Sequence, residues 1–202
     1  MELFQKAKTI RLRSYRDKYL TALDDGETVI QDRDGSAKNA TWTVEFVPGT
    51  NNALRLVSCY GTYLTASNIP FVPKTITGRR VLQTVPESDR DPRIDWEPIR
   101  DGFQVKLHTA IWGNFLRPNG GVPPWRNSIT HDIPHRTSTH NKMLWDVEVV
   151  EIRNVPKQPP NNKEDHHRRA HSDFTFNRSR SCSSSKSFLS RNSNVLRPHD
   201  FV

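Results

Sequence analysis

The sequence predicts an all-β domain of about twelve short strands followed by a basic tail. Three observations lead there. The first is a motif that returns three times. Ile10-x-Leu12-x-Ser14 leads to Tyr19-Leu20-x-Ala22 and then Trp42-x-Val44-x-Phe46. Leu54-x-Leu56-x-Ser58 leads to Tyr63-Leu64-x-Ala66 and then Trp96-x-x-Ile99, and Val105-x-Leu107-x-Thr109 leads to Phe115-Leu116 and then Trp145-x-Val147-x-Val149. The second is an alternation of apolar and polar residues that dominates inside each unit, the mark of strands with one buried face. The third is a composition step near Ile152. Residues 1–152 hold 20 Lys+Arg against 18 Asp+Glu, whereas residues 153–202 hold 10 against 4 and so supply most of the net charge of +8. Four strands per unit, in units too small to hide their apolar faces alone, imply a closed barrel capped by hairpins, a β-trefoil. A three-bladed propeller competes poorly, because propellers have about 4–8 blades.

Each strand has its own signal. The first repeat places strands near 7–13, 18–22, 28–31 and 40–47, with Ile10 and Leu12 inward and Arg11 and Arg13 outward. Asp24-Asp25-Gly26, Asp34-Gly35 and Pro48-Gly49 supply its turns. The second repeat places strands near 52–58, 62–66, 79–84 and 93–99. The third, after the Asp101-Gly102 turn, places them near 102–109, 113–117, 125–129 and 144–151, with Asn119-Gly120-Gly121 as a turn and Lys106 outward between Val105 and Leu107. No stretch of ten or more residues has helical period. Leu12 to Tyr19 and Leu56 to Tyr63 are both seven residues apart, while Leu107 to Phe115 is eight. Variable loops on a fixed strand frame produce that irregularity.

The tail lacks Trp and Tyr, and nine of its 50 residues are Ser. So polar a segment cannot bury enough surface to offset about 1–2 kcal/mol of ordering entropy per residue. The expected organisation is therefore a domain over 1–152 and a disordered tail over 153–202. Arg169 lies three residues before Ser172, Arg178 three before Ser181 and Arg180 three before Ser183, the spacing that basophilic kinases favour, so these serines are candidate phosphorylation sites. Each phosphate adds about −1.5 to −2 charge, enough for three to nearly cancel the tail's excess.

Composition also excludes classes of function. No apolar run approaches the roughly 18–20 residues of a membrane span. Met1-Glu2-Leu3-Phe4-Gln5-Lys6 lacks a basic region followed by an apolar stretch, and Cys59 and Cys182 are too few for a disulfide scaffold or a four-cysteine zinc site. A cytoplasmic monomer is the expectation, with nuclear entry left open. No Gly-x-Ser-x-Gly elbow or phosphate-binding Gly loop is present. Asp95 and Glu97 flank Trp96 and share a strand face, but read as solvated carboxylates. A non-enzymatic binding protein without cofactor or metal is expected.

Several stretches resemble a plant family labelled domain of unknown function 569, described as fascin-like or actin cross-linking. They are Ile10-Arg11-Leu12-Arg13-Ser14, Asp17-Lys18-Tyr19-Leu20, Trp42-Thr43-Val44-Glu45, Tyr63-Leu64-Thr65-Ala66-Ser67 and Gly113-Asn114-Phe115-Leu116-Arg117. The most specific runs from Pro123-Pro124-Trp125-Arg126 through His131-Asp132-Ile133-Pro134-His135-Arg136. The resemblance covers about residues 1–152 and implies a β-trefoil with actin filaments as a candidate partner. Bundling needs two filament sites on one particle. One trefoil therefore implies monovalent binding.

Three sets of residues are candidate sites. Trp125, Arg126, Asn127, His131, Asp132, His135 and Arg136 form the densest cluster of reactive side chains. That segment reads as a loop across the barrel mouth, as a recognition surface anchored by Trp and Arg, or as a metal site through His131 and His135. Pro134 argues against the helix that last reading needs. Arg11, Arg55 and Lys106 occupy one outward position in each repeat and offer either a threefold basic contact for an acidic partner or an ordinary solvated face. Trp42, Trp96 and Trp145 invite a sugar-binding reading, since ricin-type trefoil lectins carry an aromatic in each repeat. Their Gln-x-Trp signature is absent here, so core tryptophans are expected, with carbohydrate kept as an alternative ligand. Nucleic acid is disfavoured, because no aromatic platform with interleaved basic residues is visible.

Overall fold

The computed structural model describes residues 2–73, 78–133 and 141–154. Its strands follow the expected order. The first repeat contains β1 (Ala7–Ser14), β2 (Tyr19–Ala22), β3 (Val29–Asp32) and β4 (Trp42–Phe46). The second contains β5 (Leu54–Val57), β6 (Tyr63–Pro70), β7 (Arg79–Thr84) and β8 (Trp96–Asp101), and the third β9 (Gln104–Thr109), β10 (Phe115–Pro118), β11 (Ile129–Asp132) and β12 (Trp145–Ile152). Going round, β1 pairs with β4, β4 with β5, β5 with β8, β8 with β9, β9 with β12, and β12 with β1 again, all antiparallel. That ring is a closed six-stranded barrel. The hairpins β2–β3, β6–β7 and β10–β11 cap it. The pairings Thr28 to Leu82, Ile30 to Ser128 and Thr130 to Arg80 join the three hairpins. This is the β-trefoil.

Alternation places Ile10, Leu12, Leu54, Leu56, Val105 and Leu107 inside the barrel. Trp42, Trp96 and Trp145 are each fully buried. A buried indole N–H needs an acceptor, and each finds one on the cap. Trp42 donates to the Leu20 carbonyl at 2.9 Å, Trp96 to that of Leu64 at 2.9 Å and Trp145 to that of Leu116 at 3.2 Å. The tryptophans thus tie barrel to cap three times over. A single 3-10 turn precedes each of them, at Lys38–Ala40, Pro92–Ile94 and Asn141–Met143, and buries its last residue in the core.

The turns linking barrel strand to cap strand also repeat. The N–H of Ser14 donates to Lys18 O, that of Ser58 to Thr62 O and that of Thr109 to Asn114 O, each at 2.8 Å. Each turn contains a left-handed residue: Asp17 (φ 54°), Gly61 (φ 78°) and Gly113 (φ 66°). Glycine meets that need without steric cost, and Asp is among the few side chains that tolerate it.

Four features depart from expectation. A one-turn helix, α1 (Glu2–Lys6), precedes β1 and sends Phe4 into the core; five residues are too few to display a helical period. The eleventh strand lies at 129–132 rather than 125–129. The Val122 carbonyl accepts the N–H groups of both Trp125 (3.1 Å) and Arg126 (3.2 Å), and Asn127 has φ 63°, so the chain is turning where extension was expected. Arg153, assigned to the tail, belongs to the barrel. Its N–H donates to Lys6 O at 2.8 Å and its Nε to Ala7 O at 3.1 Å, while its guanidinium lies 5.0 Å from the Phe46 ring centre. Asp95 and Glu97 are not free carboxylates: Asp95 Oδ1 accepts from Arg55 Nε at 2.6 Å and Glu97 Oε2 meets His108 Nδ1 at 3.1 Å. The expected tail beyond Asn154, with Ser172, Ser181 and Ser183, lies outside the described residues. Among the described residues no helix is long and apolar enough to cross a membrane.

Candidate functional site

The cluster expected over 123–136 divides into two parts. His131 and Asp132 belong to β11 and are buried, whereas Trp125, Arg126 and Asn127 lie on the loop before it. His135 and Arg136 fall outside the described residues.

His131 completes a threefold set that sequence reasoning missed. It faces Leu116 across the third hairpin as Gln31 faces Leu20 and Gln83 faces Leu64 in the others. Each of these three side chains clasps the neighbouring repeat. Gln31 Nε2 donates to Asn119 O, Gln83 Nε2 to Leu23 O at 2.5 Å and His131 Nε2 to Ser67 O at 2.7 Å. The other end of each is held within its own repeat. Gln31 Oε1 accepts from Ser14 Oγ at 3.2 Å, Gln83 Oε1 from Thr62 Oγ1 at 2.7 Å, and His131 Nδ1 lies 3.0 Å from Asn114 Nδ2. A neutral imidazole protonated at Nε2 donates and accepts as a glutamine amide does. Burial pulls the His131 pKa below its ordinary 6.5, which keeps that form. With both ring nitrogens engaged, His131 is unfit to ligate a metal beside His135.

The threefold basic set is also corrected. Arg55 is buried rather than outward, with Nε on Asp95 and Nη2 donating to Asp89 O at 2.7 Å. The Lys106 side chain is only 13% exposed and pairs with Asp101 at 2.6 Å. Arg11 is half-buried opposite Glu148 in the β1–β12 register. With Arg55 and Lys106 covered by Asp95 and Asp101 and Arg11 half-buried, the three do not form an open cationic face.

The open chemistry lies at the mouth of the cap, between the β1–β2 turn and the loop 119–128. That loop is held from within. Asn119 N–H donates to Ser128 O at 3.0 Å, and Asn119 Nδ2 donates to Thr130 Oγ1 at 2.9 Å. Ser128 Oγ donates to Trp125 O at 2.8 Å. The Asn127 carbonyl accepts Gln31 N–H at 2.9 Å and its Oδ1 accepts from Lys18 Nζ at 2.5 Å, which fastens the loop to the first repeat. Trp125 is braced by Phe71, with ring centres 4.7 Å apart, and by Gly78, where a Cβ would stand 3.1 Å from the indole.

Two adjoining cavities result, sharing Tyr15, Arg16, Gly120 and Gly121 as walls. One, of about 500 Å³, also has Trp125, Arg117, Asp132 and Lys142 in its lining. Arg117 Nη1 pairs there with Asp132 Oδ2 at 3.2 Å. The other, of about 470 Å³, is lined by Lys18, Arg33, Arg126 and Asn127. Arg16 runs between the two, where a Cβ on Gly120 would overlap its guanidinium. Desolvation, with the charges of Arg33, Arg16 and Arg126 behind it, lowers the Lys18 pKa. Of these residues, the sequence had singled out Trp125, Arg126, Asn127 and Asp132. Tyr15, Arg16, Lys18 and Arg33 were missed, although the first turn carries Tyr15-Arg16-Asp17-Lys18 where the second has Cys59-Tyr60-Gly61-Thr62.

Residues 1–145 match the family model described as "Beta-trefoil domain of unknown function (DUF569)". No curated protein matches the sequence. Among solved structures, the designed threefold-symmetric protein ThreeFoil is similar at a TM-score of 0.55 and 17% identity, over 70% of this chain and 98% of that one. A Macrolepiota procera ricin B-like lectin, solved with lactose, is similar at 0.55 and 16%, over 71% and 96%. The Haemophilus ducreyi cytolethal distending toxin is similar at 0.55 and 14%, over 73% and 88%. At these identities the likeness is one of fold.

Proposed function

The chain belongs to the β-trefoil family of unknown function DUF569, and on that premise we propose that it is a non-enzymatic binding module that holds a small polar ligand in the cleft at the mouth of its cap. The observation that carries this reading is the cavity of about 500 Å³ in which Tyr15 and Trp125 stand beside Arg16 and the Arg117–Asp132 pair. Aromatic faces with a few convergent polar groups suit a hydroxylated ring: the aromatics cover its apolar face, and the carboxylate and guanidinium take its hydroxyls. The shared fold with a lectin solved with lactose supports carbohydrate as one such ligand. The test is a glycan array followed by titration of the hits against Trp fluorescence. Saturable binding that weakens about tenfold or more in Trp125→Ala supports the reading. Binding untouched by Trp125→Ala, or no binding by any saccharide, polyol or their charged derivatives, overturns it.

A second reading, monovalent binding to actin filaments in the cytoplasm, is favoured by the cations Arg16, Lys18, Arg33 and Arg126, none of which is ion-paired to a carboxylate among the described residues. They replace Arg11, Arg55 and Lys106 as its contacts. Pelleting with filaments only at high centrifugal speed, and less of it as salt rises, supports it. Low-speed pelleting means bundling and contradicts monovalence, and no pelleting at low salt removes actin.

A further inference from the structure

The second cavity differs in chemistry from the first. Arg16, Lys18, Arg33 and Arg126 converge on a space of about 470 Å³ from three separate stretches of chain. Like charges so placed repel one another and are drawn together only by what holds their backbones. The nearby carboxylates are occupied or outnumbered. Asp17 is turned to Arg13, at 3.4 Å. Asp32 raises the Lys18 pKa, but less than each of Arg33, Arg16 and Arg126 lowers it, and its Oδ1 accepts the N–H of Asp34 at 2.9 Å. The site is also prepared. Asn127, in its left-handed conformation, fixes Lys18 by its side chain and β3 by its carbonyl, and Gly120 leaves the groove along which Arg16 reaches in.

We propose that this basic cavity binds the phosphate groups of a small polyol or sugar that carries at least two of them, its ring lying in the adjoining cavity beside Tyr15 and Trp125. Guanidinium forks match phosphate oxygens in pairs, and Lys adds a point charge. A phosphate monoester carries about −1.5 to −2 charge at neutral pH, so balancing four cations calls for at least two. The walls shared through Tyr15, Arg16, Gly120 and Gly121 let one molecule occupy both cavities. The inference rests on the polar-ligand reading above and names its chemical class. The same phosphorylated ring occurs free in solution and as a lipid headgroup.

The full-length chain is titrated calorimetrically with inositol hexakisphosphate and with inorganic tripolyphosphate. Expected is saturable binding at one site, weakened about tenfold in Arg33→Ser and again in Arg126→Ser, the equivalent of one charge-assisted hydrogen bond each. Both side chains are exposed, so neither change threatens the fold. The control removes two charges from the tail, Arg168→Ser with Arg169→Ser, and leaves affinity unchanged. An equal loss in the control, or binding that never saturates, means attraction to net charge alone and overturns the proposal. Binding of neutral saccharides without binding of either phosphate probe overturns it while the polar-ligand reading stands; absence of both defeats both. Flotation with phosphatidylcholine vesicles, with and without a phosphatidylinositol bisphosphate, separates the sources. Vesicle binding competed by the soluble probe assigns the headgroup, and soluble binding alone assigns the free compound; each upholds the site.

Discussion

Replacing His131 by Gln should leave the protein nearly as stable as the parent at neutral pH and more resistant to acid. The side chain is fully buried, with Nε2 on the Ser67 carbonyl at 2.7 Å and Nδ1 on the Asn114 amide at 3.0 Å. Gln31 and Gln83 fill the matching places, so a third Gln should cost no more than about 1 kcal/mol from changed shape. Ala at the same site removes both hydrogen bonds, strands two buried polar groups and opens a cavity, a loss of about 3–5 kcal/mol. The pH effect follows from the lowered pKa. In the folded chain His131 stays neutral below its ordinary 6.5, while the unfolded chain already takes up the proton. Stability is therefore full above the unfolded value and falls as pH drops from there towards the depressed folded value, by up to about 1.4 kcal/mol per pH unit for one proton. Asn114 Oδ1, buried and without a hydrogen-bond partner, can limit this loss if its amide turns to receive the new N–H. Urea unfolding followed by Trp fluorescence between about pH 5 and 7.5 gives the curves. A His131→Gln variant as unstable as His131→Ala, or one that keeps the parent's full acid slope, would refute the equivalence of the three clasps.

Trp96→Ala should cost about 3–5 kcal/mol in the same assay, since it empties a fully buried site and strands the Leu64 carbonyl. Asp95→Asn should cost about 2–3 kcal/mol by leaving the buried Arg55 without its charge partner, and Arg55→Met combined with Asp95→Leu should recover most of that loss; a double variant worse than the single would contradict it. Gly120→Ala should change the unfolding free energy by no more than about 0.5 kcal/mol, because the flexible end of Arg16 can yield. It should nevertheless weaken tripolyphosphate binding several-fold by pushing that guanidinium out of the cleft, which the calorimetric titration reads directly.

The frame was legible because the barrel requires the same thing of each repeat. Leu12, Leu56 and Leu107 are all fully buried in the core, and Trp42, Trp96 and Trp145 reach one type of carbonyl. The clasp was hidden by loop length. Leu20 and Gln31 are eleven residues apart, Leu64 and Gln83 nineteen, and Leu116 and His131 fifteen, so no fixed spacing marks it. A histidine in place of the third glutamine disguised it further and drew the metal reading. Arg55 read as outward from alternation alone, which says nothing about a neighbouring loop, and the loop ending in Asp95 covers it. The cleft was half visible for a different reason. Trp125, Arg126 and Asn127 adjoin in sequence, whereas Arg16, Lys18 and Arg33 come from the β1–β2 turn and the end of β3 and meet them only after the barrel closes.

The threefold frame and the cleft bear on each other. Within the frame, the three clasping side chains that enter the interior, Gln31, Gln83 and His131, are consumed by structural bonds. Chemistry left over for a ligand must lie where the repeats differ. One such difference is the loop that closes each cap hairpin: residues 23–28 in the first, 71–78 in the second and 119–128 in the third. The longest of these is the one that folds over the mouth, carries Trp125 and Arg126, and faces the only one of the three barrel-to-cap turns with an Arg and a Lys in it. Elsewhere on the barrel, basic side chains such as Arg13, Arg55, Arg93 and Lys106 are matched to carboxylates. A fold selected for stability alone gains nothing by gathering Arg16, Lys18, Arg33 and Arg126 with no ion-paired carboxylate among the described residues, since their repulsion is a cost. The cost is recovered when an anion fills the space.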